Sequence, residues 1–467
     1  MIQHMSERRY VGKWWVPSAS DHKVGGVLEI GESGQSRLEL TDELLGNEGA
    51  QILHGVADGR PITLFEVCLA NGTKKNIAQH VTNVEVVRAG LVLVGIHLVD
   101  GEEECFSGVE VSISHLATWA QRSGISQFYE SSVNGKSVSR HRAEFEPLDS
   151  VVARVNWDES ELAFNWILTM TGPKDEAWSR SYHVDESVRL KIVSDKPRSL
   201  DGYDNLIQAV QDLVTLGVQS ACVITDRVLL INRPDRRDYR VDLFFESGRA
   251  FTEEAIKPRS ILFRLSDIDD FGATIELWLS LREKIGLPLH VLFGLDYDLG
   301  GYYENRIFNA ASAAEGFHTA LCLAKKAISD DDHAEIKARV DEVFDGKQKA
   351  WIKQRIGDNR PGLKDRYVEL AAMADSESIL KLVGDIDIWA KWLKNARNAI
   401  GHLNTDELDK KVPEGARVRL TDITKAMLHL ILINQIGIGV EVQRRAVAEI
   451  FDFSARSFRK AVESAGQ

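Results

Sequence analysis

Cysteine is scarce in this chain. Among its 467 residues there are four cysteines, which lie far apart in the sequence: Cys68, Cys105, Cys222 and Cys322. None of them belongs to a Cys-x2-Cys pair, and this spacing argues against a zinc ribbon and against a disulfide framework. We therefore expect free thiols, as in proteins of the reducing cytoplasm.

Long apolar runs and export signals are also missing. The most apolar stretch, residues 428–440, is short and contains His429 and Asn434, so it predicts a buried helix and not a membrane span. The first five residues are followed by charged residues and contain no apolar core of a signal peptide. The sequence thus predicts a cytoplasmic protein that neither enters a membrane nor is exported.

Several widespread catalytic motifs are absent. There is no glycine-rich phosphate loop of the Walker type, no Gly-x-Ser-x-Gly elbow and no His-Glu-x-x-His metal helix. Asp385 with Asp387 and the run Asp330 to Asp332 are acidic groups of the kind that bind magnesium, but the run stands at a helix start, where carboxylates cap free N–H groups. We therefore expect no metal and no cofactor.

The net charge of the whole chain is −13, and the negative charge is concentrated in the first 300 residues. Residues 301–467 contain 26 Lys plus Arg against 25 Asp plus Glu, whereas residues 1–300 contain 31 against 45. A protein that binds nucleic acid without sequence preference normally has a strong basic excess. The composition excludes such a surface and leaves room for a confined electropositive cleft in the C-terminal part.

The apolar pattern divides the chain into a β-rich part and a helical part. Alternation and turn residues predict a β module over residues 1–122 and a second one over 123–298, which is interrupted by a helix at about 201–216. From Gly300 onward the period becomes helical, which predicts an all-α bundle over residues 299–467. Long helices are expected over residues 376–400 and 421–451. The fold class is α+β multidomain, with two sandwich or barrel-like modules followed by the bundle.

The segment Lys394 to His402 carries the chemistry. Arg397 supplies a planar guanidinium that matches phosphate oxygens, Asn398 an amide, and His402 an imidazole, the side-chain type whose ordinary pKa lies near neutral pH. Such a set suits cleavage of RNA without a metal, because one group moves the 2′-hydroxyl proton and another stabilises charge on the phosphate. The alternative is a solvated Arg beside a His at a helix C-terminus, where positive charge is favourable.

Helix geometry restricts how these groups can meet. Asn398 and His402 are one turn apart, whereas Arg397 and His402 diverge by about 140° on an ideal helix. One undistorted helix therefore does not direct Arg397 and His402 at one phosphate. Either the helix breaks near Gly401, or a second copy of the protein supplies the missing group.

The flanking residues resemble a known family. The segment from Arg397 to His402 is similar to the Arg-x4-6-His motif of HEPN domains, which occur in many prokaryotic ribonuclease toxins and defence proteins. Residues 304–318 resemble the first long helix of ApeA-type HEPN domains. Residues 12–17, 24–28, 52–55 and 62–64 are similar to the opening of the ApeA N-terminal domain. The resemblance thus spans nearly the whole chain.

The resemblance implies an abortive-infection, anti-phage protein of bacteria with a toxic, metal-independent endoribonuclease. It implies an RNA substrate, with a tRNA anticodon loop as an example, and a homodimer or larger homo-oligomer formed through the HEPN domains. The N-terminal region is then expected to act as sensor or regulator for a phage-derived trigger. Catalysis is expected from Arg397, Asn398 and His402, and Glu315 is expected to orient one of them.

Cations near the motif are candidate RNA contacts. They are Lys391, Lys394, Lys410, Lys411 and Arg417, for which a solvated surface is the alternative. Two other functions stay open at this point. One is a catalytically silent HEPN scaffold that binds RNA or a protein partner; the other is a nucleotidyl-modifying toxin component, which would need a nucleotide site that the sequence does not show.

Overall fold

The structure, a computed structural model, describes residues 8–45, 50–77, 80–130, 140–234, 236–246, 254–321 and 326–465. The chain divides into two units. Unit 1 comprises residues 1–215, 221–256 and 264–275, and unit 2 comprises residues 216–220, 257–263 and 276–467. The first is built mainly of strands and the second of helices. The predicted order, a β-rich region followed by a helical region, is confirmed.

Unit 1 contains the strands. Apolar and polar residues alternate along them, so that in a strand such as Val24–Ile30 every second side chain is buried. The strands are β1 (Arg8–Trp15), β2 (Val24–Ile30), β3 (Ser36–Leu40), β4 (Ile52–Ala57), β5 (Arg60–Phe65), β6 (Cys68–Ile77), β7 (His80–Arg88), β8 (Leu91–Val94), β9 (Phe106–Ile113), β10 (Ile125–Glu130), β11 (Arg140–Phe145), β12 (Val151–Val155), β13 (Ser160–Asp175), β14 (Arg180–Arg198), β15 (Ile224–Ile231) and β16 (Tyr239–Phe245).

Within the described residues, 14 strands form one antiparallel sheet, in the order β12-β13-β14-β9-β15-β16-β8-β5-β4-β1-β2-β3-β7-β6, and β10 pairs with β11 separately. The sequence predicts two separate modules, but β9 of the first pairs with β14 and β15 of the second. Strands from both predicted modules thus lie in one sheet. The boundaries after residues 122 and 298 stay predictions.

The tandem tryptophans of β1 lie in the core of unit 1. The Trp14 side chain is fully buried against Gly55, where an added Cβ would come within 2.2 Å of the indole ring. Trp15 packs edge-on against the imidazoles of His54 and His97, which stack on each other with ring centres 4.5 Å apart. Both rings thus serve packing and leave no exposed binding platform at this point.

The helices begin within unit 1 and dominate unit 2. They are α1 (Leu116–Ala120), α2 (Asp204–Val218), α3 (Phe271–Ile285), α4 (Leu287–Tyr297), α5 (Tyr303–Leu321), α6 (Asp330–Val343), α7 (Gly346–Ile356), α8 (Leu363–Ala371), α9 (Ser376–Val383), α10 (Ile386–Gly401), α11 (Thr405–Lys411), α12 (Glu414–Gln435), α13 (Val440–Glu449) and α14 (Asp452–Ala465). The apolar stretch from residue 428 lies largely in α12 and is buried, as predicted. Across the described part of the chain, no helix is both long and apolar enough to cross a bilayer.

Two predicted long helices are wrong, since each is broken at glycine. The helix expected over residues 376–400 ends before Gly384, which has φ +76°, and Asp385 then caps α10 by accepting the N–H of Ile388. The helix expected over residues 421–451 is interrupted at Gly437, with φ +82°, before α13 begins. Positive φ is accessible to glycine without steric cost, so these residues turn the chain. Helices α3 and α4 lie at the end of the stretch that was assigned to the second β-rich module.

Candidate active site

The candidate residues lie on α5, α8 and α10 of unit 2. Helix α10 buries an apolar stripe that includes Trp389, Leu393 and Ala396, and this packing leaves Arg397 and Asn398 half-buried beside it. At its end an added Cβ on Gly401 would lie 3.4 Å from the Phe308 ring of α5. The small residue thus permits close approach of the two helices at the motif.

Arg397 is held by a carboxylate of the neighbouring helix. Its Nη2 lies 3.5 Å from Oε2 of Glu315, and its guanidinium carbon lies 5.8 Å from the ring centre of Phe308. The Arg397 side chain remains 34% exposed, so the group is anchored on one side and accessible on the other. Among the predicted site residues, the structure brings together Arg397 and Glu315.

A second arginine, Arg366 of α8, shares the same carboxylate. Its Nη2 donates to Oε1 of Glu315 at 2.9 Å, so one carboxylate lies between two guanidiniums. The adjacent Tyr367 hydroxyl donates to the Ala311 carbonyl at 3.1 Å and ties α8 to α5. Burial raises the pKa of Tyr367, the charge of Glu315 raises it further, and the two arginines act in the opposite direction. Sequence reasoning missed Arg366, because nothing local marks an arginine 51 residues from its partner.

His402 lies at the point where α10 ends. It is the C-cap residue with φ −102° and ψ 8°, its N–H donates to the Asn398 carbonyl at 3.0 Å, and its side chain is exposed. Leu403 then adopts φ +54°, and Asn404 caps α11 by accepting the N–H of Glu407. The helix therefore ends at Gly401, one of the two alternatives that the spacing allows. In the described residues no hydrogen bond joins the His402 side chain to Arg397 or Asn398.

Glu407 of α11 lies near enough to His402 for their charges to interact. A hydrogen bond from Lys411 is the main reason why the pKa of Glu407 is lowered, and the charge of His402 lowers it to a smaller extent. Glu407 is half-buried and pairs with Lys411. The arrangement offers an accessible proton donor or acceptor at the helix end.

The candidate RNA contacts fall into two groups. Lys391 is exposed and Lys394 half-buried on α10, and in the described part of the chain neither forms an ion pair. Lys410 and Lys411 end α11, where Lys411 pairs with Glu407, and Arg417 of α12 pairs with Asp409 and is only 13% exposed. The second group is thus helical and partly neutralised by carboxylates.

His318, which shares a face of α5 with Glu315, has a different partner. Its Nε2 lies 2.7 Å from Oε2 of Glu369 on α8, and the ring is buried. This pair packs α5 against α8 and does not contact Arg397. No group of three or more His, Cys, Asp or Glu side chains in the described ranges is arranged to hold a metal ion.

A β-rich unit followed by a helical one, with an arginine and a histidine at the end of one helix, fits the class of proteins that have a HEPN domain. Family comparisons agree. Residues 308–441 match the model described as Apea-like HEPN, and residues 9–278, more than half of the chain, match ApeA N-terminal domain 1. The chain belongs to this ApeA family. No curated protein and no solved structure matches it.

Membership has general consequences for function. HEPN domains are generally ribonucleases, and they commonly dimerise and bind RNA. The Apea-like HEPN domain supports a HEPN-type nuclease of an anti-phage defence family.

Proposed function

We propose that this protein is a metal-independent endoribonuclease whose site is formed by Arg397, Asn398 and His402. The proposal is supported by the partly exposed guanidinium of Arg397, which Glu315 of α5 anchors. Arg397 lies on α10, and the end of that helix presents the exposed His402. A permanent cation and a titratable group at one helix end are the two requirements for cleaving a phosphodiester that has a neighbouring 2′-hydroxyl.

The reaction follows from the ordinary chemistry of these groups. The 2′-oxygen attacks phosphorus and loses its proton, the bond from phosphorus to the 5′-oxygen breaks, and that oxygen takes up a proton. His402 acts as base or acid in these transfers, Arg397 stabilises the charge that builds on the phosphate, and Asn398 orients the phosphate or His402. The products are a 2′,3′-cyclic phosphate and a 5′-hydroxyl.

A second copy of the chain completes the site. His402 lies past the end of α10, and in the described residues no hydrogen bond or ion pair joins it to Arg397. In the proposed homodimer or larger homo-oligomer, two Arg–Asn–His sets face one RNA phosphate. Lys391 and Lys394 are the proposed RNA contacts closest in sequence to Arg397, and Lys410, Lys411 and Arg417 extend the path.

The proposed biological setting is abortive infection. RNA cut in a loop, such as a tRNA anticodon loop, is the proposed substrate, because unstacked bases in loops are accessible to proteins. The N-terminal region is the proposed sensor or regulator, and a phage-derived component acting there is the proposed trigger.

Two assays test the reaction. Purified protein is incubated with total bacterial RNA, with and without EDTA, and the ends of the products are analysed. We expect 2′,3′-cyclic phosphates and 5′-hydroxyls under both conditions. Cleavage that stops in EDTA, or products with 5′-phosphates, would contradict the mechanism.

Mixing two inactive variants tests the shared site. Arg397→Ala and His402→Ala proteins are each expected to be inactive, and their mixture, after subunit exchange, is expected to regain cleavage because a mixed dimer retains one guanidinium and one imidazole. Sedimentation of the unchanged protein supplies the control for assembly. A mixture that stays inactive although mixed dimers have formed would exclude a shared site.

Glu315→Gln tests how Arg397 is held. The amide keeps the size of the side chain but cannot balance the two guanidiniums, so we expect kcat to fall about tenfold to a hundredfold while KM changes little. Glu377→Gln, on the exposed face of α9 where Glu377 pairs with Lys381, is the matched control and should cleave normally. Unchanged cleavage by Glu315→Gln would remove Glu315 from the site.

The catalytically silent scaffold is the second candidate. The observation that favours it is the absence, within the described residues, of a hydrogen bond or ion pair between His402 and Arg397. Protein that binds RNA but releases no cleaved product in any of these assays would support the scaffold.

A further inference from the structure

A helical hairpin, α6 with α7, projects from the helical unit without a core of its own. Neither helix contains a fully buried residue. A neck closes its base, where the Asn359 side chain accepts the Ile328 N–H at 3.1 Å and donates to the Ile328 carbonyl at 3.0 Å. We call residues 327–359 the arm. A pair of helices that buries so little apolar surface does not contribute its side chains to the core of unit 2, which leaves those side chains available for binding.

The inner face of α7 is occupied by contacts to α6. Lys349 and Lys353 both pair with Asp341 of α6, at 2.7 and 2.6 Å. Ile352 and Ile356 lie on the same side and are half-buried. At about 100° per residue these four positions cluster around one side of the helix. Two of the four cations of α7 are thus neutralised within the arm.

The outer face of α7 carries an exposed aromatic ring between two cations. Lys347, Trp351, Gln354 and Arg355 fall within about 100° of one another on the side opposite Asp341, and all are exposed. Trp351 is 60% exposed, and the Arg355 guanidinium lies 5.5 Å from its ring centre. In the described part of the chain neither Lys347 nor Arg355 has a carboxylate partner.

We propose that this outer face of α7 is an RNA-binding surface, on which an unpaired base stacks against Trp351 while Lys347 and Arg355 contact the flanking phosphates. An aromatic ring flanked by cations is the arrangement that holds single-stranded nucleic acid, because every base has a flat face and every linkage a negative charge. The choice of RNA rests on the proposed function and on charge. Helix α7 has four cations and no carboxylate in a chain whose net charge is −13.

The arm is attached next to the candidate active site. In the sequence the arm lies between α5, which carries Glu315, and α8, which carries Arg366. Glu315 lies six residues, about 9 Å, before the end of α5, and Arg366 lies in the first turn of α8. The arm is thus connected to the two helices whose side chains, Glu315 and Arg366, form the carboxylate–guanidinium cluster with Arg397.

Binding is measured without cleavage, in full-length protein carrying His402→Ala. The probes are a labelled RNA stem-loop and a fully paired RNA duplex of the same length. Trp351→Ala is expected to weaken stem-loop binding about tenfold and duplex binding less than twofold, because only the loop offers unstacked bases. Lys347→Glu with Arg355→Glu is expected to weaken both and to reduce the salt dependence of log Kd by about 2.

Matched controls come from the same chain. Trp178→Ala removes another exposed tryptophan, and Arg339→Ala removes a cation of α6 that pairs with Glu335; both should bind the stem-loop like the parent. Circular dichroism checks that the variants fold. The proposal is overturned if the stem-loop affinity is unchanged both in Trp351→Ala and in the double variant with Lys347→Glu and Arg355→Glu. It is also overturned if these variants lose self-association but still bind RNA, because the face would then be a protein contact.

The result is separable from the proposed catalysis. If cleavage requires His402 but RNA binding does not depend on Trp351, the proposed nuclease is supported and the proposed RNA-binding face of α7 is rejected. If RNA binding depends on Trp351 but the protein does not cleave RNA, the proposed RNA-binding face is supported and the proposed nuclease is rejected.

Discussion

RNA cleavage by the His402→Ala variant is expected to fall about a thousandfold below that of the unchanged protein. A positioned acid or base contributes about 10²–10⁴-fold to a rate, and His402 is the proposed group for this role. The side chain is exposed at the end of α10. Only the backbone N–H of His402 takes part in the hydrogen bond to the Asn398 carbonyl that ends the helix. The substitution should therefore leave the fold intact. Single-turnover cleavage of a labelled stem-loop measures the effect.

The control for this substitution is another exposed histidine of the helical unit. His290 of α4 is exposed, and His290→Ala should cleave like the unchanged protein. Thermal unfolding of both variants should match that of the parent within about 2 °C, as for surface substitutions in general. His402→Ala protein that cleaves RNA at the full rate would reject the assignment of the site.

Asp296→Asn is expected to lower the free energy of unfolding of the helical unit by about 3–5 kcal/mol. Asp296 of α4 is buried and accepts from Lys425 Nζ at 2.7 Å and from His429 Nε2 at 3.1 Å. The other ring nitrogen of His429 lies 3.1 Å from Oε1 of Gln219. The substitution removes the anion of this cluster and leaves the half-buried Lys425 without its carboxylate partner. Urea unfolding followed by circular dichroism measures the loss.

The same cluster predicts a dependence on acid. Burial raises the pKa of Asp296, but the charges of His429 and Lys425 outweigh burial and bring it to about 2, below the ordinary 3.8. A carboxyl group with a lowered pKa stabilises the folded state above its unfolded pKa, and this contribution is lost as pH falls from about 4 to about 2. The stability difference between the parent and Asp296→Asn should therefore shrink over that range.

Asp298→Asn is the matched control, since Asp298 is exposed two residues further along. It should change stability by less than about 0.5 kcal/mol, the ordinary limit for a surface position. If the free energy of unfolding of Asp296→Asn falls by less than about 1 kcal/mol, the prediction is wrong and the ion pairs of Asp296 contribute little net stability.

Local patterns predicted the strands well where one face is buried. Val151–Val155 lies in the second predicted β module and forms a strand, and Ser36–Leu40, in the first, buries every second side chain. Both have a period of two, which the sequence displays directly. Which strands become neighbours could not be predicted, because β9 pairs with β14 and β15 across more than 60 residues of intervening chain. Such pairing depends on the packing of the whole sheet.

Helix ends show a similar division. The helical period around residues 376–400 was recognised, but the break at Gly384 was missed, since a lone glycine is tolerated inside many helices. Helix α7 was missed because its apolar residues are few and it buries none of them fully. A helix that packs on only one neighbour leaves a weak apolar stripe in the sequence.

The sequence by itself determined the order of the two regions, the family, and the placement of Arg397 and His402 at the end of a helix, because periodicity and short motifs act over a few residues. Tertiary structure alone decided that Glu315 meets both Arg397 and Arg366, and that one face of α7 points away from α6. These depend on how α5, α8 and α10 pack, and packing joins side chains by their position in space, which spacing along the chain does not encode.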